Sequence, residues 1–156
     1  MNEIISYFAG KVADKIPSFI LSRLLPPKKV AEQVKVNLRG NNAICLELNS
    51  ENPQIDIWFE IINLSNLKLN LNRLLIEVWF SQRVFEGSIL KRYDVPPRGI
   101  VSDIRYWQSL TIAQKSRIES SQSQGGQIYI SLTAYFESKV GIVEVNNTIE
   151  RSSVKG

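Results

Sequence analysis

Gln54-Ile55-Asp56-Ile57-Trp58-Phe59-Glu60-Ile61-Ile62-Asn63 places Ile55, Ile57, Phe59 and Ile61 on one side of an extended chain, with Asp56, Trp58 and Glu60 on the other. A period of two is that of a half-buried β-strand, because successive side chains of a strand point to opposite faces. The pattern recurs on both sides of this stretch. Leu74, Ile76, Val78 and Phe80 alternate with Glu77 and Trp79, and Ile128, Ile130, Leu132, Ala134 and Phe136 alternate with Tyr129, Ser131, Thr133 and Tyr135. Ile44, Leu46 and Leu48 open the series, while 84–93, 99–107 and 140–149 are its less regular members. Asn52-Pro53, 63–66, 96–99 and Gly125-Gly126 supply the turns between them.

Short strands in this number, with no helical pattern long enough for crossovers between parallel strands, predict an all-β fold. The expectation is a fibronectin/immunoglobulin-like Greek-key β-sandwich of seven or eight strands, with an N-terminal amphipathic helix. The polar stretch Thr111 to Gln122 reads as a short helix or turn. The expected divisions are a basic amphipathic helical segment over 1–27, a linker or first edge strand over 28–42, the sandwich over 43–152 and a tail over 153–156.

In the N-terminal segment Ile4, Ile5, Phe8, Val12 and Ile16 recur every three or four residues and share one face of a helix, with Lys11 and Lys15 mainly opposite. Pro17 stops or kinks that helix. A second apolar run, Phe19 to Leu25, resumes it before Pro26-Pro27 ends it, and Lys28 and Lys29 follow. No apolar run approaches the ~20 residues that span a bilayer. The first charge is Glu3, and no cleavage pattern of a secretory signal follows, so the chain is expected to be cytoplasmic or peripheral to a membrane.

Charge is unevenly placed. Residues 1–40 carry Lys11, Lys15, Arg23, Lys28, Lys29, Lys35 and Arg39 against Glu3, Asp14 and Glu32, whereas the basic and acidic side chains of 41–156 balance. The excess points to an anionic partner for the N-terminal segment.

Catalytic chemistry is poorly supplied. The chain has no histidine, hence no imidazole base and no imidazole ligand for zinc. The single cysteine, Cys45, reads as a buried, inert thiol. Asp56 and Glu60 lie about 13 Å apart along one strand face, too far to share a metal ion, and read as solvated charges. Gly125-Gly126 lacks the ending of a phosphate-binding loop. No cofactor, metal or catalytic residue is expected, and the chain reads as a non-enzyme.

The polar-alternate positions nevertheless hold Trp58, Trp79, Tyr129 and Tyr135, a candidate aromatic surface patch. Either the helix folds back and covers it or it stands open. Lys91, Arg92, Tyr93, Arg98, Arg105, Tyr106 and Trp107 interleave charge and rings as a single-strand platform would, but matched acidic residues disfavour nucleic acid.

The order of these strands resembles the late embryogenesis abundant type 2 or WHy (water stress and hypersensitive response) domain. The resemblance spans about 43–152 and rests on 55–62 running into Asn63-Leu64-Ser65-Asn66, on 74–80 leading to Phe85-Glu86-Gly87, and on Tyr93-Asp94-Val95-Pro96 before the strand near Ile100. The family's Asn-Pro-Asn is absent. The resemblance implies a small fibronectin-like sandwich without catalysis, associated with stress protection or with binding at membrane and protein surfaces. The expected function is a binding module that docks on an anionic membrane surface or a partner protein. Membrane or partner contact falls to Ile4, Ile5, Phe8, Val12, Ile16, Lys11, Lys15, Lys28 and Lys29. The alternatives are a carrier of an apolar, lipid-like ligand, or an assembly subunit that uses the helix as its interface.

Overall fold

Alternation along the chain becomes two antiparallel sheets in the computed structural model, which describes residues 15–151. Ile4, Ile5, Phe8, Lys11 and Val12 lie outside the described residues. The strands are β1 (Val34–Leu38), β2 (Ile44–Glu47), β3 (Gln54–Asn63), β4 (Leu69–Phe80), β5 (Gln82–Ile89), β6 (Tyr93–Val95), β7 (Ile100–Ser109), β8 (Ile128–Ser138) and β9 (Gly141–Arg151). The helices are α1 (Ser18–Leu24), α2 (Pro27–Ala31) and α3 (Ile112–Ser123).

In the first sheet β3 is central. β1 pairs with its last five residues and β2 with its start, so these two lie end to end along one edge of β3, and β7 runs along the other edge. In the second sheet β6 and β5 share one edge of β4 in the same way, with β8 and then β9 beyond its other edge. The expected seven or eight strands therefore become nine segments in seven lateral positions among the described residues. Two edge strands are broken, the first around Gly40, which has φ of 69°, and the second at the exposed stretch Leu90 to Arg92.

The apolar faces of both sheets meet in one core. Ile55, Ile57, Phe59 and Ile61 are fully buried, as are Leu74, Ile76 and Val78 of β4 and Ile130, Ala134 and Phe136 of β8. Burying each of these side chains other than Ala134 is worth about 1.5–3 kcal/mol relative to leaving it in water. The two open seams are tied by side chains. At one, Asn147 of β9 donates to the Val36 carbonyl at 2.8 Å and to Asn37 Oδ1 at 2.9 Å. At the other, the rings of Phe85 and Tyr106 stack with centroids 6.1 Å apart. A Cβ on Gly87 would overlap the Tyr106 hydroxyl, so this seam needs glycine there.

The stretch expected as helix or turn after Thr111 is a helix. Its capping box is complete: Gln114 N–H donates to Thr111 Oγ1 at 3.2 Å, and Thr111 N–H to Gln114 Oε1 at 2.9 Å. Buried Ile118 anchors α3 to the core. Near the N-terminus, α1 ends at Leu24, before Pro26-Pro27 as expected, but a further short helix starts directly after it. Pro27 stands at the first position of α2, where its missing N–H costs nothing and its φ suits a helix.

The crossings between the sheets converge on Asn63, which is fully buried at the end of β3. Its Nδ2 donates to the carbonyls of Leu67 at 2.8 Å and Pro96 at 3.0 Å. Its Oδ1 accepts from the Ser65 amide at 3.0 Å and the Ser65 hydroxyl at 2.7 Å. One amide thus holds both the β3–β4 and the β6–β7 corner. Asn63→Ala is expected to cost about 1–3 kcal/mol, because it removes the shorter donor from both carbonyls and leaves them only the Ser65 hydroxyl at 3.4 Å and the Gly99 amide at 3.2 Å. Asn63→Asp should cost as much at neutral pH and less at acid pH, where the carboxyl regains one donor. Urea denaturation of the three proteins at both pH values checks this.

Candidate functional site

Residues 27–34 sit at the end of the molecule where β3 finishes, the N-terminal pole, and α1 leads directly into them. The amide of Leu64 donates to the Gln33 carbonyl at 2.8 Å, joining the β3–β4 corner to the end of the helical segment, and α2 lies against β9. Helix α1 divides its apolar residues between two environments. Leu21 is fully buried, and Leu25 just beyond the helix is nearly so. Phe19, Ile20 and Leu24 are left 65%, 40% and 46% exposed. Val30 buries α2, while Lys28 and Lys29 of the same helix and Arg23 of α1 are exposed. Of the expected contact residues, Ile16 packs partly against the core and Lys15 is exposed.

The corners at this pole add to its charge. Over 15–34, 63–69, 94–100 and 137–142, the cations Lys15, Arg23, Lys28, Lys29, Lys68, Arg98 and Lys139 face Glu32, Asp94 and Glu137, a balance of +4. The opposite pole, 47–54, 80–83, 109–128 and 150–151, holds Arg83, Lys115, Arg117 and Arg151 against Glu47, Glu51, Glu119 and Glu150, a balance of zero. The molecule is therefore polarised along its strands.

The four aromatics of the expected patch do not form one surface. Trp58 lies on the outer face of the first sheet, with the guanidinium of Arg39 at 4.3 Å and that of Arg105 at 5.3 Å from its ring centroid. Arg105 is held in turn by Asp56, through Nε at 2.9 and 3.0 Å and Nη2 at 2.6 Å. That hydrogen bonding raises the pKa of Arg105, and Asp56 is fixed rather than merely solvated. Trp79 and Tyr129 stand opposite each other on the second sheet and, with Ser81, Ser131 and Thr148, line a depression of about 240 Å³. The Tyr129 hydroxyl has its one proton within reach of two acceptors, Gln127 Oε1 at 3.0 Å and Glu150 Oε1 at 3.3 Å, and the charge of Glu150 raises its pKa. Tyr135 pairs with Arg73, six residues further along β8. Alternation reveals which side of a strand a residue takes, but not which sheet the strand joins.

Cys45 is exposed, not buried as expected, because the inward positions of β2 belong to Ile44 and Leu46. The interleaved basic and aromatic residues also separate. Tyr106 turns into the Phe85 seam, Trp107 donates to Gln54 at 2.8 Å on the first sheet, and Lys91 lies 5.0 Å from the ring of Tyr93 on the second. A second depression, about 530 Å³, opens between the end of β2 and α3, lined by Leu46, Leu48, Ser50, Gln122 and the carboxylates Glu47 and Glu119. Among the described residues no group of three or more histidines, cysteines or carboxylates is placed to hold a metal ion, and no helix is long and apolar enough to cross a membrane.

No family model matches the chain. No curated protein matches it either. Among solved structures, a protein from Archaeoglobus fulgidus is similar with 10% identity and a TM-score of 0.47, covering 78% of this chain and 96% of its own. A Northeast Structural Genomics Consortium target is similar with 12% identity and a TM-score of 0.49, over 78% of this chain and 87% of its own. A solution structure described as that of a candidate late embryogenesis abundant (LEA) protein is similar with 10% identity and a TM-score of 0.42, over 98% of this chain and 90% of its own.

Reading the sequence for charge and helical period finds the basic segment but not that the turns carrying Leu64 and Arg98 lie beside it, because no periodicity operates in turns. Tyr106 gives a check on the seam. Burial raises its pKa above the ordinary 10.0, so the phenol is neutral in both states below pH 10 and ionises first in the unfolded chain above it. Stability should therefore fall as the pH rises past 10, and less so in Tyr106→Phe. Denaturant midpoints of both proteins across that range measure the difference.

Proposed function

We propose that the chain is a non-catalytic binding module that docks on an anionic membrane surface through its N-terminal helical segment. The proposed frame is a fibronectin-like Greek-key sandwich of the late embryogenesis abundant type 2 or WHy kind. The strand order supports that frame: the β1/β2 edge, β3 and β7 in one sheet, and the β5/β6 edge, β4, β8 and β9 in the other. The proposed setting is the cytoplasmic side of a membrane, with the protein bound peripherally. A stress-protective role belongs to the same proposal.

The observation that carries the docking reading is the exposure of Phe19, Ile20 and Leu24 beside Arg23, Lys28 and Lys29. An apolar helix face enters the headgroup boundary while flanking cations meet phosphate, each cation being worth about 1 kcal/mol near an anionic leaflet. The amphipathic face of Ile4, Ile5, Phe8 and Val12, with Lys11 and Lys15, would extend the same contact. A carrier of apolar ligands is the second reading, supported by the depression of about 530 Å³ beside α3, where Leu46 and Leu48 stand among polar groups. Lipid retained in a native mass spectrum would favour it.

Deleting residues 1–27 would strip Leu21 and Leu25 from the core, so point variants are the better test. The full chain should co-sediment with phosphatidylserine-containing vesicles, and much less with phosphatidylcholine alone. Phe19→Ser/Leu24→Ser and Lys28→Glu/Lys29→Glu should each lower binding at least about ten-fold, with raised salt weakening the native protein. Equal binding to neutral vesicles, or none to either, overturns the reading.

A further inference from the structure

We propose that the docking face has a second part, the corner carrying Leu64 and Arg98, so that the protein stands on its N-terminal pole with its strands running away from an anionic bilayer. This rests on the docking reading and adds an orientation to it.

The corner is joined to the helical segment by the Leu64 amide on the Gln33 carbonyl, and Leu64 leaves half of its own surface exposed. Arg98 is presented by a fixed turn. Its φ of 49° is uncommon for a residue with a Cβ, and its amide donates to the Ser65 carbonyl at 3.0 Å. Its Nε donates to the neutral Asn66 Oδ1 at 2.6 Å. Neighbouring cations are neutralised: Lys68 meets Asp94 at 2.9 Å and Arg92 meets Glu137 at 3.6 Å. Arg98 makes no ion pair with a carboxylate among the described residues, and neither do Arg23, Lys28 or Lys29. An exposed guanidinium held by a rigid turn, beside an exposed leucine, suits a phosphate headgroup and the acyl boundary beneath it. Among the described residues the opposite pole has no net charge to compete, so attraction to an anionic surface also turns the molecule N-terminal pole first.

The test compares the full-length protein with Leu64→Ser/Arg98→Glu and with Arg117→Glu, an exposed change on α3 at the opposite pole, all titrated with phosphatidylserine-containing vesicles. The corner variant should bind at least about ten-fold more weakly with a shallower salt dependence, and Arg117→Glu should bind as the native protein does. Equal losses in the two variants would show unoriented attraction and overturn the proposal. A native-like corner variant, alongside lost binding in Lys28→Glu/Lys29→Glu, would overturn it while leaving the docking reading standing. No binding by the native protein would overturn both. If the corner variant fails to fold by circular dichroism, Arg98→Asn replaces it, since asparagine tolerates the positive φ, and weaker vesicle binding is again expected. Unchanged binding by Arg98→Asn overturns the proposal.

Discussion

The four hydrogen bonds of the Asn63 carboxamide fix where the chain passes from one sheet to the other. These corners point the carbonyls of Leu67 and Pro96 inward, and each backbone carbonyl stranded there would cost about 1–3 kcal/mol. Asn63 meets that constraint at two corners at once, because it offers two donors toward Leu67 and Pro96 while its oxygen accepts from Ser65. No apolar residue could do so, and a carboxylate would lack the donors. Everything at the N-terminal pole is placed relative to this amide, including the turn that carries Arg98 and the β3–β4 corner that meets Gln33.

That placement turns a charge imbalance in the sequence into a direction in space. The N-terminal segment is basic along the chain, but a basic segment on a loose tether would orient nothing. Leu21, Leu25 and Val30 bury in the common core and bind the segment to the two sheets as part of one body. Phe19, Ile20 and Leu24 then stay outside because helix α1 has only one face to give the core. Cations at the pole and balanced charge at the other end complete a molecule with a defined axis.

The inner faces of the two sheets were legible in the sequence, since Ile55 to Ile61, Leu74 to Phe80 and Ile128 to Phe136 all bury as their alternation requires. Alternation is strict there because a one-residue slip would expose the whole set. The edges were less legible. β1 and β2 share one edge, as do β5 and β6, and no local signal shows that two segments are collinear. The aromatic patch dispersed for the same reason, since Trp58 and Trp79 have the same parity on strands of different sheets. Helix α1 stops before Pro26-Pro27 as read, but the restart at α2 was not legible, because proline stops a helix that reaches it and favours one that starts there. Cys45 misled because thiols are usually buried, whereas its strand parity faces outward.

Pole-first docking is tested most directly by depth-dependent quenching of tryptophan fluorescence in anionic vesicles made with brominated lipids. Trp58, Trp79 and Trp107 lie at least five residues from the polar ends of their strands, about 16 Å or more from the pole. In Phe19→Trp the account predicts that the new indole is quenched by shallow bromines while emission of the native protein is unchanged. Quenching of the native tryptophans to the same degree, or none at position 19 in protein that has bound, would contradict it.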